Sequence, residues 1–449
     1  MADHPTSNSG PNSTSGPSFD LNARRPTGRP VYESTLLPPR KRRRFSPWLI
    51  VPSLLIVLLV LLYFLIFGPK PRRAVSTAGM VVYASDTGSP GVSHLWIARA
   101  DGGGAHPLTS GASADGSPAF SANGSQIAFL SNRVGGQNQV WLMDGDGKNP
   151  LQVTRGGRAK SQPAFAPGSS SLLGYLAGAS LAVINIGKGD ASLLLPTPAR
   201  QAARPDSTDP TDPQQVQTAS AAVTEFAWQP SAADPANPGL AAVLDTNGIQ
   251  TLAVLPTLGG SPRLTQNDKP DGPPLAAADG VAPAWSPDGS KLAVALLHVQ
   301  GQIRGLRAGQ KASGLLQFDA QGNVRQPLTP YIVDPAIGPL NPLYSPDGSL
   351  LAFELWRQPD LASRTRLGLF LIPSGGGTPK MIAKGDAGAA QFSRDSRQLF
   401  FLQRRRDGGH DLLRLNVDGL NVDGTAPARL TDGQADVTGF ALSPQAAKP

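Results

Sequence analysis

The 449-residue chain contains no cysteine. This excludes disulfide crosslinks, thiolate catalysis and cysteine-bound zinc, but leaves the compartment open, because a domain of this size buries enough core without crosslinks. Histidine is scarce as well. None of the five (His4, His94, His106, His298, His410) has a second histidine or a carboxylate at the spacing with which a helix builds a metal site. Asp144-Gly145-Asp146-Gly147-Lys148-Asn149 has the outline of a calcium loop, yet its glycine and final bidentate acid are misplaced, and a hairpin turn accounts for it. No Gly-x-Ser-x-Gly nucleophile elbow occurs. The sequence therefore implies no metal and no cofactor.

A dominant charge is also lacking outside one end. The formal net charge is +8, but residues 1–73 hold eleven of the 40 Lys/Arg and only three of the 32 Asp/Glu, leaving 29 of each sign to the rest. A formally neutral main domain excludes nucleic acid as a general partner, since phosphate neutralisation needs a net basic surface. Glycine and proline, by contrast, are abundant. With 50 and 44 copies they are too many for a helical protein, while a 40% hydrophobic fraction is too high for a disordered one. Both facts point to a turn-rich β fold.

Long apolar runs are absent with one exception. Residues 1–39 are rich in Ser, Asn, Pro and Gly and bury too little to offset the entropy of ordering, so they read as a disordered tail. Arg40-Lys41-Arg42-Arg43-Arg44 follows, and then residues 48–67, mostly Leu, Ile and Val, long enough as a helix to span a bilayer of about 30 Å. Pro52 and Ser53 fall near the helix start, and Trp48 and Tyr63 suit the interfaces. Eight basic residues precede the run and three (Lys70, Arg72, Arg73) follow it, which keeps the tail in the cytoplasm and exports the remainder. The competing reading is a cleaved signal peptide ending at Ser76-Thr77-Ala78, although the apolar core exceeds the usual length of about 7 to 15 residues. The expected organisation is a disordered basic cytoplasmic tail (1–45), a transmembrane helix (46–69), a linker (70–79), an extracytoplasmic domain (80–444) and a disordered tail (445–449).

One pattern recurs through the main domain. It is clearest in Trp285-Ser286-Pro287-Asp288-Gly289-Ser290-Lys291-Leu292-Ala293 and Tyr344-Ser345-Pro346-Asp347-Gly348-Ser349-Leu350-Leu351-Ala352. A strand ends on an aromatic, Pro-Asp-Gly turns, and an apolar strand returns. Weaker copies lie at 117–129, 162–175, 224–243 and 390–401. Third strands such as Val140-Trp141-Leu142-Met143 follow, and fourth strands are marked by Val153-Thr154, Leu264-Thr265, Leu328-Thr329 and Leu430-Thr431. Four strands per repeat is a propeller blade.

The anchors Phe120, Phe165, Trp228, Trp285, Tyr344 and Phe392 are 45, 63, 57, 59 and 48 residues apart, a blade period with loop insertions, and are expected to pack between blades. Residues 80–109 lack a first strand, whereas residues 437–444 are a first strand with nothing after it. A composite blade would close the ring and leave no open edge. The fold class is thus all-β, a seven-bladed propeller closed by the C-terminal strand. Six or eight blades stay open because the repeat at 162–196 is degenerate.

The Ser-Pro-Asp-Gly-Ser-x-Leu-Ala motif, together with Ile127-Ala128-Phe129-Leu130-Ser131-Asn132-Arg133 and the Trp141-Leu142-Met143 strand, resembles the TolB-type, WD40-like propeller repeats of bacterial envelope proteins. The resemblance covers residues 80–444 and implies a protein-binding platform at the cell envelope. It differs from TolB itself in lacking a preceding α/β domain, in the retained anchor and in its seven blades, which puts a TolB-type lipoprotein partnership in doubt. The membrane-anchored dipeptidyl peptidases look similar at their N-terminal side, with an anchor and then a propeller, but their catalysis lies in a following hydrolase domain, of which the sequence to Pro449 has no trace.

One feature rises above scaffold. Loops between second and third strands of three successive repeats are basic: Arg304, Arg307 and Lys311, then Arg357, Arg364 and Arg366, then Arg404, Arg405 and Arg406. Such loops share one face of a propeller, giving a neutral domain a positive sector able to hold an anionic partner. Ordinary solvated charge, partly neutralised by Asp360, Asp407 and Asp411, is the alternative. The insertion at 195–222 is expected to be a flexible loop on that face. The functional expectation is a non-catalytic module, anchored in the membrane through residues 48–67, that binds an envelope protein or anionic polymer. The alternative is a hydrolase or lyase using the central channel.

Overall fold

The structure, a computed structural model, describes residues 79–195, 221–230, 236–258, 260, 262–264, 276–277, 281–300, 310–334, 336–357, 364–422 and 426–444. The expected tail and transmembrane segment, the linker up to residue 78, most of the 195–222 insertion and residues 445–449 lie outside the described residues. Among the described residues no helix is long and apolar enough to cross a membrane.

The Ser-Pro-Asp-Gly turns form for a reason that can be followed atom by atom. In Ser286-Pro287-Asp288-Gly289-Ser290 the serine hydroxyl accepts the Lys291 amide (2.9 Å) and donates to Asp288, while Asp288 Oδ1 accepts the Ser290 amide (3.1 Å). Gly289 supplies the positive φ (68°) that closes the turn. The same bonds recur at Ser345/Asp347, at Ser393/Asp395 and, with asparagine in the acid's place, at Ser121/Asn123. A threonine does a matching job at the other end of the blade. Thr109, Thr154, Thr329 and Thr431 accept the amides of Leu95, Val140, Leu315 and Leu412 through their hydroxyls. The pairs Leu108-Thr109, Val153-Thr154, Leu328-Thr329 and Leu430-Thr431 therefore sit one step past the fourth strand, not within it, whereas Leu264 lies inside its strand Arg263–Leu264.

These hairpins build seven blades. Their innermost strands are Val437–Leu442, Asp115–Phe120, Lys160–Phe165, Ala222–Trp228, Val281–Trp285, Ile337–Tyr344 and Ala387–Phe392, in blades 1 to 7. The degenerate repeat is a complete blade 3, closed by Asp190–Leu195. Blade 1 is composite: Val437–Leu442 pairs antiparallel with Met80–Ser85, from Val81 opposite Leu442 to Ser85 opposite Val437. Outer strands of two residues (His106–Pro107, Leu151–Gln152, Arg263–Leu264, Ala428–Arg429) blunt the exposed edges in four blades. Between blades 4 and 5 the short strand Ala276–Ala277 pairs with both neighbours.

The core is distributed over the ring. Seven buried apolar clusters are present, each drawn from two adjacent blades, so every seam has its own core, including the one between blades 7 and 1. Tryptophan suits the seam because its ring fills the space while its N–H finds a partner. Trp228 donates to the Ala164 carbonyl (3.0 Å) and Trp285 to the Ala227 carbonyl (3.2 Å), each on the preceding blade. Four of the six anchors, Trp228, Trp285, Tyr344 and Phe392, are buried as expected. Phe120 and Phe165 are only partly buried.

Candidate functional site

Antiparallel neighbours alternate direction, so the first-to-second and third-to-fourth turns lie on one face of the ring, and the second-to-third and fourth-to-first connections on the other. The chain enters the first of these faces at Gly79, where Ala100 donates its amide to Gly79 and Ser443 donates to Met80. A funnel of about 640 Å³ opens on that face, with Phe120, Phe165, Phe392 and Leu442 in its wall and Arg394 beside it. Its polar groups are largely committed to the ring: Gln391 bonds the Phe440 carbonyl and the Leu442 amide, and Arg394 the Pro444 carbonyl.

The described basic residues, Lys311, Arg357, Arg364, Arg366, Arg404, Arg405 and Arg406, belong to the opposite face. Arg304 and Arg307 lie outside the described residues. Lys311, Arg357 and Arg406 are exposed, and among the described residues none has a carboxylate within ion-pair distance. Arg404 is 56% exposed and lies 3.8 Å from Asp386 Oδ2, too far for a hydrogen bond. Arg364 is partly buried.

Arg366 and Arg405 have structural work. Arg366 lies over the Trp356 ring (4.7 Å) and bonds Glu354 and Asp386, each at 2.9 Å. Glu354 is 1% exposed. It also accepts from Asn341, Trp356 and the Ala389 amide, and so ties the second strand of blade 6 to the strained start of blade 7, where Ala389 has a φ of 51°. Arg405 is 13% exposed and bonds Asp407, Asp411 and the Ala435 carbonyl. The blade 7 connection that carries it is a tight turn, not a long loop: Arg405 donates its amide to Gly409, and Arg404 is still in the strand Gln398–Arg404. Sequence alone could not pick out Arg366, whose partners Glu354 and Asp386 lie 12 and 20 residues away, and although Asp407 and Asp411 lie close to Arg405 in sequence, nothing local says that they bond it and not Arg404 or Arg406.

A group that the sequence reading missed is Glu225, on the innermost strand of blade 4, whose carboxyl is pushed up to about 7 by burial. Its signal was a single charged residue in the strand Ala222–Trp228. Gln162, on the neighbouring innermost strand, bonds the carbonyl of the adjacent Thr224. Among the described residues no group of three or more His, Asp or Glu side chains is placed to hold a metal ion.

No protein-family model and no curated protein matches the chain. Solved structures do. TolB from Acinetobacter baumannii is 15% identical, with 86% of this chain and 70% of that one covered and a TM-score of 0.43. An oligogalacturonate lyase from Vibrio parahaemolyticus is 10% identical over 78% and 84%, at 0.46. A prolyl endopeptidase is 12% identical over 82% and 49%, at 0.49. A fold by itself assigns no activity. The chain is similar in fold to TolB and related propeller proteins.

Proposed function

We propose that the protein is a membrane-anchored, extracytoplasmic propeller that binds an anionic partner, an envelope protein or polymer, through the face opposite its point of chain entry. The observation that carries the reading is that Lys311, Arg357, Arg404 and Arg406, on three successive blades, are exposed on one face of a formally neutral domain. The anchor rests on the apolar run 48–67 and the basic excess before it. Partner exchange is then steered electrostatically, and the ring serves as a rigid platform.

The test is crosslinking of the full-length protein in its native membrane beside a variant with Lys311, Arg357, Arg404 and Arg406 all changed to Ala, sparing Arg366 and Arg405. A partner crosslinked to the parent and lost from the variant at equal protein level is expected. The same partners on both proteins would move the binding site to the funnel face. Protease added to intact cells is expected to reach the propeller and not residues 1–45, and the reverse pattern would remove the anchored, exported reading.

A further inference from the structure

We propose that Asn247 is a self-modification site, deamidating in the folded protein by attack of the Gly248 amide nitrogen with Asp245 as the base. The inference goes beyond the basic-face reading and does not rest on it. Asparagine followed by glycine is the pair most open to this reaction, because glycine has no side chain to hinder its own attacking nitrogen. The sequence contains two such pairs, Asn123-Gly124 and Asn247-Gly248, which look alike as sequence. The fold puts them in opposite circumstances.

Asn123 is locked. Its Oδ1 accepts the Ser121 hydroxyl (2.9 Å), the Ser125 amide (3.0 Å) and the Ser125 hydroxyl (2.7 Å). The Gly124 nitrogen that would attack belongs to a buried residue and donates to the Ser121 carbonyl (2.8 Å), so reaction there would cost the turn these bonds. Asn247 and Gly248 instead form the two-residue turn between Leu240–Thr246 and Ile249–Leu255, with φ of 55° and 84°, the positive values that such a hairpin turn requires. Both are exposed, and among the described residues the Asn247 carboxamide has no hydrogen-bond partner. The Gly248 amide donates to Asp245 Oδ1 (2.9 Å), a carboxylate with no ion-pair partner among the described residues.

That contact suits the reaction. The amide hydrogen lies in the peptide plane and is directed at Asp245, while the nitrogen attacks out of that plane. The Gly248 nitrogen bonds to the side-chain carbonyl carbon of Asn247 as Asp245 takes its proton. The carbon–nitrogen bond of the carboxamide then breaks, and ammonia leaves with that proton. Water opens the cyclic imide to aspartate or isoaspartate. Because the turn joins the second and third strands of blade 4, it lies on the face that carries Lys311, Arg357, Arg404 and Arg406. Each conversion adds a carboxylate to that face, so an aged molecule presents it with less positive charge.

The test holds the full-length protein in detergent at mildly alkaline pH, with circular dichroism to follow the fold, and reads deamidation of both asparagines by peptide mass spectrometry. Both are measured in one sample, so the first comparison needs no variant. Asn247 is expected to convert faster than Asn123 by roughly tenfold or more. Asp245→Asn keeps a carbonyl oxygen that can accept the Gly248 amide but removes the base, and is expected to slow Asn247 by a similar factor while leaving Asn123 unchanged. In denaturant the two sites are expected to react at comparable rates. Equal rates in the folded protein, or faster loss of Asn123, would overturn the site. An Asp245→Asn rate equal to the parent's would overturn the base. A preference for Asn247 that persists undiminished in denaturant would trace it to local sequence, and the structural assignment would fall.

Discussion

Two carboxyl groups show how position along one repeat sets opposite responses to pH. Asp288, in its turn, is held down to about 2 by the Ser286 hydroxyl and then by the Ser290 amide and hydroxyl. Its contribution is present above the ordinary carboxylate pKa and is lost as pH falls through the folded value. Glu225 is the reverse case, raised from 4.5 to about 7 by burial. The folded protein keeps the Glu225 proton that the unfolded chain gives up, so stability falls as pH rises across this window and levels off above it. Glu225→Gln is therefore expected to remove that slope and to stabilise the protein at about pH 8 by roughly 2 kcal/mol, a figure reduced for the partial exposure of the group. Melting temperatures of both proteins from about pH 4 to pH 8 decide it, and parallel curves would mean that Glu225 is ionised in the fold at neutral pH.

At the scale of the element, arginines that look alike in sequence divide into two kinds. Arg366 and Glu354 join the second and third strands of blade 6, and Glu354 alone pairs the Ala389 amide at the bulge that starts blade 7. Glu354→Ala leaves the Trp356 indole N–H, the Ala389 amide and one edge of Arg366 without their acceptor, and is expected to cost about 3–5 kcal/mol in chemical denaturation. Arg357→Ala removes an exposed side chain and is expected to cost less than about 0.5 kcal/mol. Comparable losses in both variants would show that the exposed arginine is structural after all. The hairpin turns themselves were legible in the sequence because Ser, Asp and Gly act within five residues of one another. The Glu354 network was not, since it gathers Asn341, Arg366 and Ala389 from three other strands.

For the whole molecule, stability depends on closing the ring. The strand Val437–Leu442 completes blade 1, supplies Val437 and Phe440 to the core between blades 7 and 1, and is fastened by Gln391 and by the mutual bonds of Asp86 and Asp436. Deleting residues 437–449 opens a seam and exposes the edge of Met80–Ser85 to other chains. The expected outcome is association on size-exclusion chromatography and loss of a single cooperative unfolding transition. A truncated chain that stays monomeric with an unchanged melting curve would show that the remaining seams suffice.

The repeated hairpin and the composite closure were determined by the sequence, because both follow from short-range turn chemistry repeated in order, whereas the count of seven, which the sequence left between six and eight, was decided by the complete blade 3 of the fold. Tertiary structure alone decided which cations are available. A charge is spent or free according to the carboxylate that the fold brings beside it, and for Arg366 and Arg405 those partners include Asp386 and Asp411, reached only once blades and turns are packed. The same reason explains Glu225: its shifted carboxyl comes from burial in the folded ring, and no local pattern of residues encodes that burial.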